Sequence, residues 1–253
     1  MNHHRPPPQA RWKQHVPGLS LSPEKEFHWR SREVSRIEGF TDAVFAFAVT
    51  LLIVALEVPH TYAGFVEMLK GFPAFVAGFA LLMTFWNSHY RYFRRYGLED
   101  GFTRFVTYAI LLLVLFSVYP VKFLFSAWLG GHHGADRPIQ TIEQFQTISR
   151  FFGLGLTAIW SLFASLYAHA LRRQAALRLN AVEIILTRQA FFGCALNVGI
   201  AVVAVGFSYA AEPSTIAMSA GIYLLVPVGL LLNRWWHRRQ VRLLPAPAAG
   251  HRG

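Results

Sequence analysis

The sequence predicts an all-α membrane protein with six transmembrane helices and both termini in the cytoplasm. Three observations predict it. Of the 253 residues, 54% are hydrophobic and only 15% are charged, where a soluble domain carries about 25% charged residues. The charges sit between long uncharged runs, most of them near the length of a bilayer crossing. Lys and Arg are abundant in every second segment between those runs and scarce in the others. A soluble chain of this length would need far more charge to cover its surface. The composition also excludes a disordered chain, a coiled coil and a disulfide scaffold, the single cysteine being Cys194.

The first hydrophobic run is the unusual one. Between Asp42 and Glu57 lie fourteen uncharged residues, AVFAFAVTLLIVAL. They reach about 21 Å along a helix, against about 30 Å of hydrocarbon. A span here, about 37–57, must take Asp42 inside and Glu38 or Glu57 near an edge. A re-entrant or interfacial helix is the alternative. The second span, about 70–90, rests on twenty uncharged residues between Lys70 and Arg91. The third, about 105–127, rests on seventeen between Arg104 and Lys122, and the lysine stem can snorkel outward. The fourth, about 150–171, has twenty-one between Arg150 and Arg172. The fifth, about 188–211, has twenty-three between Arg188 and Glu212, and the sixth, about 213–234, has twenty-one between Glu212 and Arg234. A crossing helix needs about 20 apolar residues.

Orientation follows from the cations, which collect on the cytoplasmic side. The N-terminal segment carries Arg5, Arg11, Lys13, Lys25, Arg30, Arg32 and Arg36. The loop around Pro59 to Glu67 has none, the next has Arg91, Arg94, Arg95 and Arg104, and the third has Arg137 beside the flanking Lys122 and Arg150. The fourth has Arg172, Arg173, Arg178 and Arg188, the fifth has none, and the C-terminal segment is again basic. Six crossings keep this alternation and five break it. The net charge of +11 is therefore chiefly topology, and no nucleic-acid partner is expected. Residues 1–30 and 241–253 are rich in Pro, Ala, Gly, His and basic residues and read as disordered cytoplasmic tails around one transmembrane domain, 31–240. No apolar segment with a cleavage site opens the chain, so no signal peptide is expected.

Chemistry-bearing motifs are scarce. His132 and His133 lie near Asp136 in a glycine-rich loop, but the spacing is loose for a metal site and reads as a solvated loop. There is no H-E-x-x-H, G-x-S-x-G or P-loop. The spans offer mainly Asp42, Thr50, Asn87, His89, Tyr119 and Asn197, too thin a set for an enzyme. No cofactor or metal is expected. A carbonyl filter of the TVGYG kind and a helix with regularly spaced arginines are also missing. A channel built from this chain must make its filter of side chains.

The first span supplies a pattern for one. Phe40, Phe47 and Val54 recur at intervals of seven, with Thr50 between the last two. Such a stripe is what a helix shows to copies of itself around an axis, and it is also what ordinary packing inside one subunit shows. Ala43, Ala46 and Ala48 are small and permit close approach of neighbouring helices. Asp42 points roughly 140° away from Phe47, toward the rest of the bundle. A buried carboxylate there needs donors, for which Arg36, Thr41, Asn87 and His89 are available. It serves either as a structural clasp or as a proton or ion ligand.

The segment RIEGFTD, Arg36 to Asp42, running on into AVFAFAVTLL, resembles the R-x-x-x-F-S-D signature that opens the transmembrane protein 175 family of potassium channels. FWNSHYRYF, Phe85 to Phe93, is similar to the family's W-x-x-H stretch. The resemblance covers roughly residues 30–240. It implies a homotetramer in a prokaryotic cytoplasmic membrane, with the first spans around a pore whose hydrophobic side chains constrict and select. Carried onto this sequence, the pore-lining positions fall on Phe47, Thr50 and Val54, on the stripe already noted. Arg36, Phe40, Thr41 and Asp42 carry over as the signature holding the first span against its neighbours, with His89 in the same polar network. Thr41 stands where the family has Ser, which keeps the hydroxyl. Phe47 stands where it has Ile or Leu, and four phenyl rings can close the pore, flex aside or offer π faces to a cation.

The function expected is passive, potassium-selective conduction, with K⁺ as permeant ion and the lipid bilayer and other copies of the chain as partners. Glu57, three positions beyond Val54, serves either to gather cations at the outer mouth or as a lipid-interface carboxylate. Two rivals remain. One is a proton channel or proton-coupled transporter relaying through Asp42 and His89. The other is a non-conducting membrane scaffold or enzyme.

Overall fold

The structure, a computed structural model, describes Phe27, Arg30, residues 33–54, 59–129, 139–209, residue 222 and residues 225–242. Six helices run through them: α1 (Arg36–Val54), α2 (Tyr62–Tyr96), α3 (Gly101–Leu129), α4 (Ile142–Arg172), α5 (Ala181–Phe207) and α6 (Leu225–Arg242). The first five are long and apolar enough to cross a membrane.

Local chemistry sets the helix ends. A helix leaves its first amides without partners, and a side-chain oxygen just before it accepts from them. Ser35 and Glu38 cap α1 reciprocally, with Ser35 N donating to Glu38 Oε2 at 2.8 Å and Glu38 N to Ser35 Oγ at 3.3 Å. Thr61 caps α2 through the Gly64 amide. Thr141 with Gln144, and Asn180 with Glu183, form full capping boxes on α4 and α5. α2 stops at Gly97, whose φ of 58° is left-handed and whose amide donates to Phe93 O.

Caps therefore move the boundaries away from those expected from charge. α2 starts at Tyr62 and α4 at Ile142, each eight residues before the start of the expected span. α6 overlaps the expected sixth span over 225–234 and then continues through Arg234 and Arg239 to Arg242. Residues 210–221 and 223–224, where that span was expected to begin, lie outside the described residues, as do Glu57, His132, His133 and Asp136.

The helices pack as two groups of three. α1 lies against both α2 and α3, α5 lies between α4 and α6, and the groups join chiefly where α3 meets α4. The core is aromatic at one end. Tyr92 and Tyr96 of α2 meet Tyr167 of α4 edge-on, with Tyr92 and Tyr167 centroids 5.6 Å apart, and Phe93 meets Tyr92 edge-on. Farther along α2, Phe85 packs edge-on against Trp160 at 5.6 Å. Cys194 is buried, in keeping with a packing role. Phe105, Leu112 and Phe116 lie along one exposed face of α3, as a helix turned to lipid requires.

Candidate pore-lining face and its supports

α1 divides cleanly into two faces. Ile37, Glu38, Thr41, Phe45, Ala48 and Leu52 are buried against α2 and α3. At about 100° per residue the opposite side of the helix carries Ala43, Phe47, Thr50 and Val54, with Phe40 and Ala46 beside them. All six are exposed, Phe47 at 56% and Val54 at 69%. The stripe is therefore not used for packing within the subunit. Its composition also differs from the lipid-turned face of α3, because it includes alanines and a hydroxyl. Thr50 Oγ1 donates to Ala46 O at 3.0 Å. That bond uses its hydrogen and leaves the oxygen lone pairs free to face a cation.

The signature residues do not form one connected network. Asp42 is exposed on the flank of α1, between the buried face and the stripe, instead of turning into the bundle. Its partner is Trp86 of α2, whose indole N–H donates to Oδ1 at 2.8 Å. Trp86 itself stacks on Tyr90 with centroids 5.5 Å apart. A search restricted to hydroxyls, amides, imidazole and guanidinium overlooks this donor, although Trp86 stands inside the W-x-x-H stretch. Thr41 and His89 are buried in the α1–α3 core. His89 stacks on Phe93 at 4.5 Å and lies beside Phe45 at 6.5 Å. Its Nε2 and the Thr41 hydroxyl find no hydrogen-bond partner among the described residues. Arg36 is exposed and makes no ion pair among the described residues. No hydrogen bond joins Asp42 to His89, so among the described residues the two do not form a direct proton relay.

Two polar anchors hold the end of the bundle at which α1 begins. Arg30 lies just before α1. It grips the buried Glu183 carboxylate with two nitrogens, at 2.7 and 3.2 Å, and donates from Nε to Leu177 O at 2.9 Å. Phe27 packs edge-on against Tyr96 at 5.6 Å and lies under the Arg95 guanidinium at 5.0 Å. Both residues fall in the segment expected to be a tail, yet they lie against the body. The second anchor is Asp100, the N-cap of α3. It accepts from Thr103 N at 2.9 Å and meets His169 Nε2 at 2.6 Å and Arg173 at 3.4 Å.

Asp100 yields a pH-dependent prediction. Partial burial pushes its carboxyl up, but the Thr103 amide and the His169 imidazole outweigh this and hold it at about 2. A pKa depressed by folding adds stability that is complete above the unfolded value, near 3.8, and is lost as pH falls through the folded value. Asp100→Ala removes the cap and is expected to cost about 1 kcal/mol at neutral pH. Asp100→Asn keeps a capping oxygen and is expected to flatten the fall in stability between pH 4 and pH 2. Thermal unfolding in detergent across pH measures both.

Among the described residues no three His, Cys, Asp or Glu side chains are grouped to hold a metal. The geometry instead offers an apolar helix face with one hydroxyl layer, on the subunit's outside, backed by a firmly packed three-helix group.

Known proteins resemble this chain in sequence and fold. The family of the endosomal/lysosomal potassium channel TMEM175 matches residues 36–120, from the first residue of α1 into α3. A potassium channel of Marivirga tractuosa is 30% identical over 242 residues, which cover 89% of this chain and 96% of that one. The chain belongs to the TMEM175 family. It has the TMEM175 fold as well. A crystallised variant of the potassium channel MtTMEM175, in complex with a nanobody–MBP fusion protein, superposes with a TM-score of 0.75 at 27% identity. That match covers 87% of this chain and all (100%) of the other. A lysosomal potassium-selective channel TMEM175 homologue from Chamaesiphon minutus superposes with a TM-score of 0.55 at 25% identity, over 80% of this chain and 99% of that one. TMEM175 is a family of ion channels, not of enzymes. Its member here is a multi-pass membrane protein with bacterial relatives.

Proposed function

We propose that the chain is a passive, potassium-selective channel of a prokaryotic cytoplasmic membrane, built as a homotetramer with both termini inside. Residues 31–240 form the channel domain, with Phe27 and Arg30 of the preceding segment packed on it. Four copies of α1 surround the axis, and Phe47, Thr50 and Val54 line the constriction. The observation that carries this reading is the exposed stripe of α1, set diametrically opposite the face that packs on α2 and α3. A subunit that packs its signature helix by one side only leaves the other side for an axis.

The chemistry follows from side chains. A ring of phenyl groups at Phe47 offers little to replace water, so an ion crossing it sheds hydration. K⁺ holds its water less tightly than Na⁺ and crosses at lower cost. One turn on, the Thr50 oxygens supply a polar layer where partial rehydration is recovered, and Val54 closes a second apolar ring. Of the signature residues, Asp42 ties α1 to α2 through Trp86 and Thr41 is buried on the packed face of α1. Glu57 would gather cations at the outer mouth.

Flux from liposomes tests the reading. Purified protein reconstituted under an outward K⁺ gradient is expected to release K⁺ on addition of a proton carrier, with Na⁺ in place of K⁺ giving much less. Absence of K⁺ release from well-folded, reconstituted protein sinks the proposal.

A further inference from the structure

A groove of about 680 Å³ runs along the flank of α1 where it meets α3. Its upper rim carries Arg36, Arg104 and Glu99, and its walls below carry Phe40, Val44, Leu111 and Leu115. The order along the membrane normal is informative. α1 and α3 each neighbour α2 in the chain and pack beside it, so the two run in the same direction and Arg36 and Arg104 lie at one membrane surface. Val44 is eight residues farther along α1 and Leu115 eleven farther along α3, about 12 and 16 Å deeper at the helical rise. The groove is thus cationic at the surface and apolar in depth. Neither arginine makes an ion pair among the described residues. With Glu99 counted, the rim carries a net charge of +1.

We infer that this groove holds an anionic phospholipid of the leaflet in which α1 begins, the cytoplasmic leaflet in the proposed topology. The two guanidiniums grip the phosphate diester, for which their planar donors are suited. One acyl chain lies along Phe40, Val44, Leu111 and Leu115. The single net positive charge of the rim matches the single negative charge of a phosphatidylglycerol headgroup, and a basic pocket between helices at the cytoplasmic surface is the setting in which acidic lipids are retained. The volume falls within the ordinary range of small-molecule sites. The lipid would sit against the flank of α1, beside the stripe, so lipid charge and pore geometry would be coupled through one helix.

Native mass spectrometry of the detergent-purified protein tests this without reference to conduction, so its failure leaves the channel proposal standing and the reverse also holds. Phosphatidylglycerol, phosphatidylethanolamine and inorganic phosphate are supplied separately. Retention of phosphatidylglycerol over phosphatidylethanolamine is expected, with Arg104→Gln lowering the apparent affinity about tenfold, the loss of one charge-assisted hydrogen-bonding partner. Excess inorganic phosphate is expected not to displace the lipid, because it lacks the apolar half. Leu115→Trp, which fills the groove from below and spares both arginines, is expected to reduce retention by a second route. A photoactivatable phosphatidylglycerol is expected to label α1 and α3. Equal retention by the parent and both variants, equal retention of the two lipids, displacement by phosphate alone, or labelling confined to other helices each overturns the proposal. Displacement by phosphate would mark a free-anion site, and labelling elsewhere would leave the groove to a neighbouring subunit.

Discussion

Phe47→Ala is expected to raise cation flux and to lower the preference for K⁺ over Na⁺ by about tenfold, the equivalent of about 1.4 kcal/mol in the difference between the two barriers. Selectivity in an apolar constriction depends on forcing the ion to give up water. Four alanines in place of four phenyl rings widen the ring enough for an ion to keep its first hydration shell, and the cost that separates the two cations is no longer incurred. Stability should change little, since the Phe47 side chain is exposed in the subunit and fills no core. A selectivity ratio measured by flux in liposomes checks this. An unchanged ratio would place the narrow point elsewhere. Thr50→Val, which keeps the shape and removes the oxygen, separates the two layers: conductance should fall with Phe47 intact.

The largest effect on stability is expected from Arg30→Ala. Its partner Glu183 has only 1% of its side chain exposed, and truncating the arginine leaves that carboxylate buried without its guanidinium. Breaking a buried pair from one side typically costs 3–5 kcal/mol. Because 22% of the Arg30 side chain is exposed, water screens part of the interaction and about 3 kcal/mol is the expected loss. One further support disappears, since Arg30 Nε also donates to Leu177 O. Arg30→Lys keeps the charge but not the two-pronged geometry and should recover only part of the loss. Thermal unfolding in detergent decides it, and an unchanged midpoint would mean that the segment before α1 does not grip the body.

Much of the fold was legible in where the charges are absent. Uncharged runs located α2 to α5, because a bilayer tolerates charge poorly and a crossing has a fixed length. The helix ends were not legible that way. Thr61, Gly97, Thr141 and Asn180 set them through caps, and a cap acts in water beyond the hydrocarbon, where charge is no constraint. α6 shows the same limit in reverse, since its arginines continue the helix beyond the uncharged run.

The candidate site divides similarly. Periodicity located the stripe of Phe40, Phe47, Thr50 and Val54, and the structure leaves it exposed. Periodicity placed Asp42 opposite the stripe but could not say which neighbour would reach the flank of α1. That depended on α2 presenting Trp86 there. The pairing of Arg30 with Glu183 joins residues 153 apart in the chain, and no local pattern foreshadows it. Tertiary packing alone brings them together.

The central claim is that the exposed face of α1 lines the conduction path. Cadmium block of single cysteine variants, with Cys194 replaced by Ser, tests it most directly. Phe47→Cys places a thiol on the stripe, and Phe105→Cys places one on the exposed face of α3. With α1 around the axis, cadmium stops K⁺ flux through Phe47→Cys, where thiolates from several subunits converge, and leaves Phe105→Cys conducting. Continued flux through Phe47→Cys in cadmium, or equal block of both variants, would contradict the account.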